Sequence, residues 1–505
     1  MIAAVTILGD VAQTAGVVLA ALLAAAVLLV RSPRARATAM LGALVLTPVL
    51  LVANIWSTPQ FEPLRSRPLL ALAAAAGGFA LLALGAAAIH RRPQLLALAA
   101  AATLPFRVPI ESGGDTANLL VPLYLVIAAG ALAYAVPRLR TARGLDEERD
   151  VRPRGLLEWL LAATIVLYAV QASYSSAFDA ALAQVIFFYV PFALLYALLV
   201  RLEWTPRLAA QCLVVALVLA VAFVGIGFVE YARRELLLNP KVISSNQFES
   251  YFRVNSLFFD PNIYGRFLVT VMLGLTAVLL WTRRAVLAAG CGAALALLWA
   301  GLVLTLSQSS FTALLAGLAV LGGLRWGAAR IAALVGVLAV AGIAVVLIAP
   351  GAVGLDQSTN AATSGRSNLV RGGIELFTAR PAAGWGAGAF KTEFRRQQKS
   401  SSARASAASH TIPITVAAEQ GVGGLAVYLA LLGVAIVGLL RGARASVARA
   451  AVAAAFVALV VHTLLYAAFL EDPLAWALLA LGTALTPAVV RAAEPAPAAL
   501  ATAAP

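Results

Sequence analysis

The sequence predicts an all-α, polytopic transmembrane helical bundle of about 12–15 spans, and two observations carry this prediction. Of the 505 residues, 62% are apolar and only 12% are charged, whereas a soluble domain is roughly 45–50% apolar and about 25% charged. The mean hydropathy is +0.93. A water-soluble fold could not bury that much hydrocarbon, so the composition excludes a cytoplasmic enzyme, a secreted domain and a disordered chain.

The individual spans follow from apolar runs that lie between charged residues and Pro or Gly breaks. A spanning helix needs roughly 20 mostly apolar residues. Such runs occur at 10–30, 37–56, 68–89, 93–108, 117–136, 155–172, 180–200, 207–229, 263–281, 286–306, 309–324, 330–349, 412–440, 447–469 and 473–490. The run at 93–108 is the weakest because it is short and contains Pro105 and Arg107. The close pair of runs around Ser307–Ser310 also fits a re-entrant hairpin.

The formal charge of +15, from 37 Lys and Arg against 22 Asp and Glu, is explained by topology and does not require nucleic acid as a partner. Cytoplasmic loops of membrane proteins collect Lys and Arg. Every second connection is arginine-rich here: Arg31/Arg34/Arg36, Arg91/Arg92, Arg138/Arg140/Arg143, Arg201/Arg207, Arg283/Arg284, Arg325/Arg330 and Arg441/Arg444/Arg449. We therefore expect a multi-pass protein of the cytoplasmic membrane, with its first span an N-out anchor and residues 491–505 a low-complexity cytoplasmic tail.

Two long connections, at about 230–262 and 350–411, fall on the extracytoplasmic side of this topology. They divide the chain into N-terminal spans (1–229), central spans (263–349) and C-terminal spans (412–490). The second connection carries eight basic and three acidic residues. Because long loops translocate largely regardless of charge, its basic residues are available to bind either an anionic ligand or anionic headgroups.

The first long connection contains Arg253 and the segment Asp260-Pro-Asn262, which leads directly into a span. Asp260 suits a helix N-cap, with Pro261 in the first turn. A cap does not account for Arg253, which lies among phenylalanines. An arginine in that setting either snorkels or binds an anion.

The second long connection begins with residues that suit a short amphipathic helix at 366–378, capped by Ser364. Arg380-Pro381 and the glycine run 384–388 follow. The run is not a dinucleotide fingerprint because no strand or βαβ unit surrounds it. We expect a tight backbone turn that also lets a ligand approach.

The chain has three histidines, and His410 is the one best placed for proton transfer. It lies at a helix entry on the expected outer face, where an imidazole of near-neutral pKa can take a proton. His90 adjoins two arginines on the cytoplasmic side, and His462, inside a span, is expected to hydrogen-bond a neighbouring helix. Cys212 and Cys291 lie in apolar runs, so no disulfide or Cys-based metal site is expected.

An ordered set of these segments resembles the O-antigen ligase and O-antigen polymerase superfamily, whose members are polytopic glycosyltransferases with one large periplasmic loop. The resemblance covers roughly residues 250–425. It rests on Arg253 with Ser256-Leu-Phe-Phe-Asp260-Pro-Asn262 and Gly265, then Leu304-Thr-Leu-Ser307, Gly365-Arg366, Arg380-Pro381, Gly384-Trp-Gly386-Ala-Gly388-Ala-Phe390, Ser409-His410 and Glu419-Gln-Gly421.

The resemblance implies an inverting transfer that needs neither metal nor cofactor. The donor would be a glycan on undecaprenyl pyrophosphate, and the acceptor a hydroxyl of a glycolipid, a glycan or a protein. Arg253 and Arg366 would stabilise the pyrophosphate and His410 would act on the acceptor hydroxyl. The expected substrate-binding residues are Arg371, Arg380, Asp260, Asn262 and Glu419.

Three other functions are also compatible with the sequence. A polysaccharide polymerase would use the same donor, so the sequence does not separate it from a ligase. A transporter or flippase is a further alternative, although we detect no inverted repeat. A metal-dependent glycosyltransferase would need an acidic pair, for which Glu471-Asp472 is a candidate, but a helix cap before Pro473 is the simpler explanation.

Overall fold

The computed structural model describes residues 2–55, 62, 66–112, 115–140, 155–236, 252–348, 366–398, 411–466 and 468–485. Ser364, His410 and the tail 491–505 lie outside this part of the chain. The described helices are α1 (Ile2–Leu29), α2 (Pro33–Ile55), α3 (Pro68–Arg91), α4 (Gln94–Thr103), α5 (Val121–Arg140), α6 (Leu156–Ala172), α7 (Phe178–Gln184), a π-helical turn (Val185–Tyr189), α8 (Val190–Leu199), α9 (Pro206–Arg233), α10 (Pro261–Trp281), α11 (Ala285–Thr305), α12 (Gln308–Trp326), α13 (Ala328–Ile348), α14 (Arg366–Ala379), α15 (Phe390–Gln398), α16 (Ile412–Leu440), α17 (Val447–Leu465) and α18 (Pro473–Ala484).

The predicted fold class is confirmed. Within the described residues, eleven helices are long and apolar enough to cross a membrane, and four more apolar helices are shorter. Each apolar run in the sequence corresponds to one of these helices, with α7, the π-helical turn and α8 together forming the span Phe178–Leu199. Hydropathy located the spans because burial in lipid or in the bundle selects the same residue types.

Two connections add detail to that prediction. The weak run at 93–108 is helical only over α4, and an antiparallel hairpin follows, with β1 (Val108–Ser112) paired to β2 (Asp115–Leu119). Pro105, just beyond α4, cannot donate the hydrogen bond that a further helical turn would require. Around Ser307, α11 and α12 are separated by two residues and both are long enough to span, which favours two full spans over a re-entrant hairpin.

Among the described residues, the two larger apolar cores meet on α17. Phe456 and Leu459 of α17 belong to the core formed with α1, α6, α8 and α18, whereas Ala454 and Ala458 face the core formed by α9–α12. We call the end of the bundle with the arginine-rich connections, such as 282–284 and 441–446, the basic end. The opposite end, with connections 173–177, 252–260, 306–307 and 466–472, is the loop end. The candidate site lies there, where the two cores meet.

Candidate active site at the loop end

The segment before α10 is held rigidly against the bundle by the carboxylate of Glu230. This side chain is fully buried on α9, and its Oε2 accepts hydrogen bonds from the backbone N–H groups of Asn255 (3.2 Å) and Ser256 (2.8 Å). The Val254 N–H donates to the Leu304 carbonyl at 3.2 Å. Burying a carboxylate is costly unless it is hydrogen-bonded, so these contacts fix the segment that carries Arg253.

The Arg253 guanidinium is oriented by a hydrogen bond to a backbone carbonyl and another to a side-chain amide. Its Nε donates to the Thr305 carbonyl at the end of α11 (2.8 Å), and its Nη2 donates to Asn262 Oδ1 at the start of α10 (3.0 Å). Two fixed donors define the plane of a guanidinium, which is the property that bidentate recognition of a phosphate requires. Snorkelling of Arg253 is therefore not needed to explain its position.

Asp260 and Asn262, at the start of α10, lie close to Arg253. Asp260 caps α10 by accepting from the Asn262 N–H (2.6 Å), and its other oxygen accepts from the Tyr466 hydroxyl at 2.8 Å. Asn262 Oδ1 also accepts from the Ser307 hydroxyl at 2.7 Å. The cap is confirmed, and the amide oxygen of Asn262 links Arg253 to the serines that begin α12.

A buried polar network continues from these serines into the centre of the bundle. His462 on α17 is fully buried; its Nε2 lies 3.2 Å from Ser309 Oγ and 3.3 Å from Ser310 Oγ. Its Nδ1 lies 3.0 Å from Arg266 Nη2. Arg266 in turn forms an ion pair with Asp472 at 2.5 Å. The expected hydrogen bonding of His462 to neighbouring helices is confirmed.

Three helix N-termini converge on this network. Asp260 caps α10, Ser307 caps α12 and Asp472 caps α18, with its Oδ1 accepting from the Leu474 N–H at 2.9 Å. The predicted capping role of Asp472 is thus confirmed. Helix N-termini carry partial positive charge and favour anions, so they act in the same direction as Arg253 and Arg266.

Arg107 and Tyr466 complete the electrostatics of the site. Burial lowers the pKa of Arg107; the nearby Asp472 carboxylate opposes this change and Arg266 reinforces it. Burial, together with the Asp260 carboxylate, raises the pKa of Tyr466 well above its ordinary value, so Tyr466 stays a hydrogen-bond donor. In the sequence, Arg107 only weakened the candidate span at 93–108. The structure places it near Asp472 and Arg266 of the site.

The glycine run of the second connection packs against a break in α16. Gly421 is non-helical (φ 67°, ψ −165°), and the freed carbonyls of Ala418 and Glu419 accept from the N–H groups of Trp385 (3.0 Å) and Gly386 (2.9 Å). Gly384 has φ +69°, and a Cβ there would lie 2.2 Å from the Glu419 carbonyl oxygen. The predicted tight turn is confirmed, and close backbone contact explains its glycines.

The remaining predicted residues belong to the second long connection and to α16. Glu419 is buried, and its carboxylate accepts from the N–H groups of Gly388 and Phe390, both at 3.0 Å. Arg371 is exposed on α14, and the Arg380 guanidinium lies 4.0 Å from the centroid of the Trp385 ring. Arg366 begins α14. Because α14 spans Arg366–Ala379, the helix predicted at 366–378 is confirmed. His410 lies outside the described residues.

Four residues of this network were not predicted as site residues from the sequence: Arg266, Ser307, Ser309 and Ser310. Arg266 is the sixth residue of a span, where an arginine is expensive unless paired, and that position was a usable signal. Its partners His462 and Asp472 are about 200 residues away in sequence, so no local pattern indicated the pairing.

Residues 293–429 match a family model described as O-Antigen ligase. The matched range runs from α11 into α16. It includes Ser307, the glycine turn and Glu419, and it ends before His462. No curated protein matches the chain.

Proposed function

We propose that the chain acts as a member of the O-antigen ligase and polymerase superfamily and transfers a glycan from undecaprenyl pyrophosphate to an acceptor hydroxyl. The match of residues 293–429 to the O-Antigen ligase family model supports this proposal. The reaction takes place on the outer face of the cytoplasmic membrane and contributes to assembly of a cell-surface polysaccharide. In the transfer, the acceptor oxygen attacks C1 of the donor sugar as the bond from C1 to the pyrophosphate oxygen breaks. Attack from the opposite face inverts the anomeric configuration.

The observation that carries this proposal is the fixed guanidinium of Arg253 at the point where α10 and α12 begin. Negative charge develops on the departing pyrophosphate, and preorganised donors stabilise it without a cation. Arg253 is held by Asn262 Oδ1 and the Thr305 carbonyl, so its geometry is set before the donor binds. Arg366 is proposed as the second cationic group and His410 as the base that takes the acceptor proton.

The direct test is transfer by purified protein in nanodiscs, supplied with an undecaprenyl-pyrophosphate glycan and candidate acceptors. We expect release of undecaprenyl pyrophosphate and a glycosylated acceptor, with activity retained in EDTA. A single added glycan would identify a ligase and a ladder of repeats a polymerase. Activity that chelation abolishes and Mg²⁺ restores would contradict the metal-independent mechanism.

His410→Gln tests the proposed base within the same assay. Glutamine retains a hydrogen-bonding shape but cannot take the proton, so turnover should fall by about 10²–10⁴ while donor binding persists. Arg366→Lys should also reduce transfer, because lysine keeps the charge and loses the planar fork. Arg395→Lys, at an exposed position of α15, is the matched control. Near-normal turnover of His410→Gln would remove His410 from the mechanism.

A further inference from the structure

A second polar feature of the loop end is a cavity of about 220 Å³ beside Glu419. We call it the acidic cavity. Its polar wall residues include Tyr168, Gln184, Lys391, Thr415, Glu419 and Glu471. Pockets for drug-sized ligands measure roughly 300–1,000 Å³, so this volume suits a ligand of about one ring. Lys391, Thr415 and Glu471 are only half-buried, which places the entrance of the cavity at the loop end.

A short segment of chain separates the acidic cavity from Arg253 and its neighbours. The Ala468 carbonyl accepts from Arg266 Nη1 at 3.0 Å, and Asp472 pairs with the same guanidinium. Leu470 and Glu471, between them in sequence, line the acidic cavity. The segment 468–472 therefore presents its anionic side chains in opposite directions: Asp472 faces the arginines, and Glu471 faces the cavity.

This division sorts ligands by charge. The arginine side sets Arg253, Arg266, Arg107 and three helix N-termini against the carboxylates of Asp260 and Asp472, a balance that favours a pyrophosphate. The cavity wall contains two carboxylates, Glu419 and Glu471, and one ammonium group, Lys391. An anionic ligand would be disfavoured there by the like charges, whereas hydroxyl groups would find acceptors.

The hydrogen-bonding groups of the cavity are preorganised. Glu419 is held by two backbone N–H groups. The Tyr168 hydroxyl donates to Gln184 Oε1 at 2.6 Å, and Gln184 Nε2 donates to Glu471. Tyr428 also lines the wall, and its buried hydroxyl makes no hydrogen bond with a described residue. A buried polar group without a partner is costly, and a ligand hydroxyl would satisfy it.

Aromatic rings supply the complementary apolar surface. Tyr168 and Tyr189 both line the cavity, and their ring centroids are 4.8 Å apart in an edge-to-face arrangement. A pyranose ring has apolar faces and a rim of hydroxyl groups, so it matches a wall of aromatic side chains and fixed acceptors. An alkyl chain would leave the Tyr428 hydroxyl unsatisfied.

We propose that the acidic cavity binds an uncharged sugar ring of the acceptor. This inference rests on the proposed transfer and names its acceptor class, a neutral glycan or glycolipid. The cavity wall includes Ile412, which follows His410, the proposed base for the acceptor hydroxyl, by two residues in the sequence. The donor pyrophosphate and the acceptor sugar thus occupy opposite sides of the segment 468–472.

The test is protection of an introduced cysteine in nanodiscs, which avoids sugar-containing detergents. The variant Thr415→Cys, in a Cys212→Ser/Cys291→Ser background, places a thiol on the cavity wall. Uncharged methyl glycosides of hexoses and N-acetylhexosamines should slow its labelling by a thiol reagent, and a methyl uronide should be much less effective. Thr378→Cys, exposed on α14, is the matched control and should show no protection.

A second substitution connects protection to the wall itself. Gln184→Leu removes the link between Tyr168 and Glu471, so about tenfold more glycoside should be needed for equal protection. Equal protection by the uronide, protection by an alkyl alcohol alone, or no protection by any glycoside would overturn the proposal. Protection needs no turnover, so it can hold when transfer from the lipid-linked donor is absent, and transfer can occur without it. Failure of the cavity proposal and failure of the proposed function are thereby distinguishable.

Discussion

Buried or half-buried arginines occur at both ends of the bundle, and the two sets differ in part of their contacts. At the basic end, Arg36 Nε donates to the Val27 carbonyl at 3.2 Å, and its Nη2 to that of Val30. Arg449 donates to the carbonyls of Gly482 (3.1 Å) and Gly438 (3.2 Å). These carbonyls lie at or near helix C-termini, where a cation is favourable.

At the loop end, Arg253 and Arg266 donate to the carbonyls of Thr305 and Ala468. They also contact the side chains of Asn262, His462 and Asp472. They lie where three helices begin, so the helix dipoles add to their positive charge and do not offset it. An arginine whose guanidinium is held mainly by C-terminal helix carbonyls is a structural element, whereas one that also lies beside several helix N-termini favours an additional anion. The residue type is the same and the backbone environment decides the role.

The largest expected contrast between the two ends is their side of the membrane. Cysteine at Thr378, beyond the loop end, should react with a membrane-impermeant thiol reagent in intact spheroplasts, in a Cys212→Ser/Cys291→Ser background. Cysteine at Ala328, exposed at the basic end, should react only after lysis. The reverse pattern would overturn the topology and the outer location of the site.

Breaking the ion pair at the loop end is the next largest effect. Asp472→Asn keeps the N-cap of α18 but leaves Arg266 without its buried anion, which typically costs about 3–5 kcal/mol. Thermal unfolding in nanodiscs should therefore occur at a lower temperature. The double variant Arg266→Gln/Asp472→Asn should recover part of this loss, and a double variant no more stable than Asp472→Asn would show that the pair is not coupled.

A matched pair of lysine substitutions tests the two roles directly. Arg253→Lys should reduce transfer per folded molecule by about 10²–10³, the loss expected for an oxyanion contact. It also loses hydrogen bonds to Thr305 and Asn262, each worth roughly 1 kcal/mol, so some loss of thermal stability is expected. Arg449→Lys should lower only the thermal stability, because it removes hydrogen bonds to helix carbonyls at the other end. Transfer per folded molecule should stay near that of the parent. If both variants lost only stability, the distinction between the two ends would fail.

The smallest effect concerns Glu471, which lies next to Asp472 but faces the acidic cavity. Burial raises its pKa, Asp472 adds to this change, and backbone N–H groups and Arg266 oppose it. The folded state then holds the proton more tightly than the unfolded state, so the associated stability is present below the ordinary pKa of about 4.3 and is lost as pH rises. Glu471→Gln should therefore gain in melting temperature relative to the parent as pH increases. A difference between the two that does not change with pH would contradict this assignment.

Much of the fold followed from the sequence, because each apolar run became a helix and Asp260 became a cap. Both features depend on local properties: hydrocarbon content over about 20 residues, and a side chain that reaches its own helix N-terminus. The family resemblance assigned Arg253, Asp260 and Asn262 to one site, and in the structure Arg253 donates to Asn262 Oδ1 nine residues along the chain.

The rest of the site was decided by helix packing. The sequence around a histidine inside a span does not show whether its side chain contacts lipid, a neighbouring helix or a ligand. The specific contacts of His462 with Arg266 and Ser309 could therefore not be predicted. The glycine turn likewise gained its meaning only from the break at Gly421, where the freed carbonyls of α16 needed donors.

Composition and hydropathy were sufficient to identify a helical membrane protein and to locate its spans. The alternation of arginine-rich connections also identified the arginines of the two long connections as exceptions. Only the tertiary structure decided that Arg266, His462 and Asp472 form one network and that Glu419 and Glu471 share a cavity. The physical reason is that hydropathy and capping act over one helix. Pairing of buried charges is set by which helix ends the packing of two cores brings together, across some 200 residues of chain.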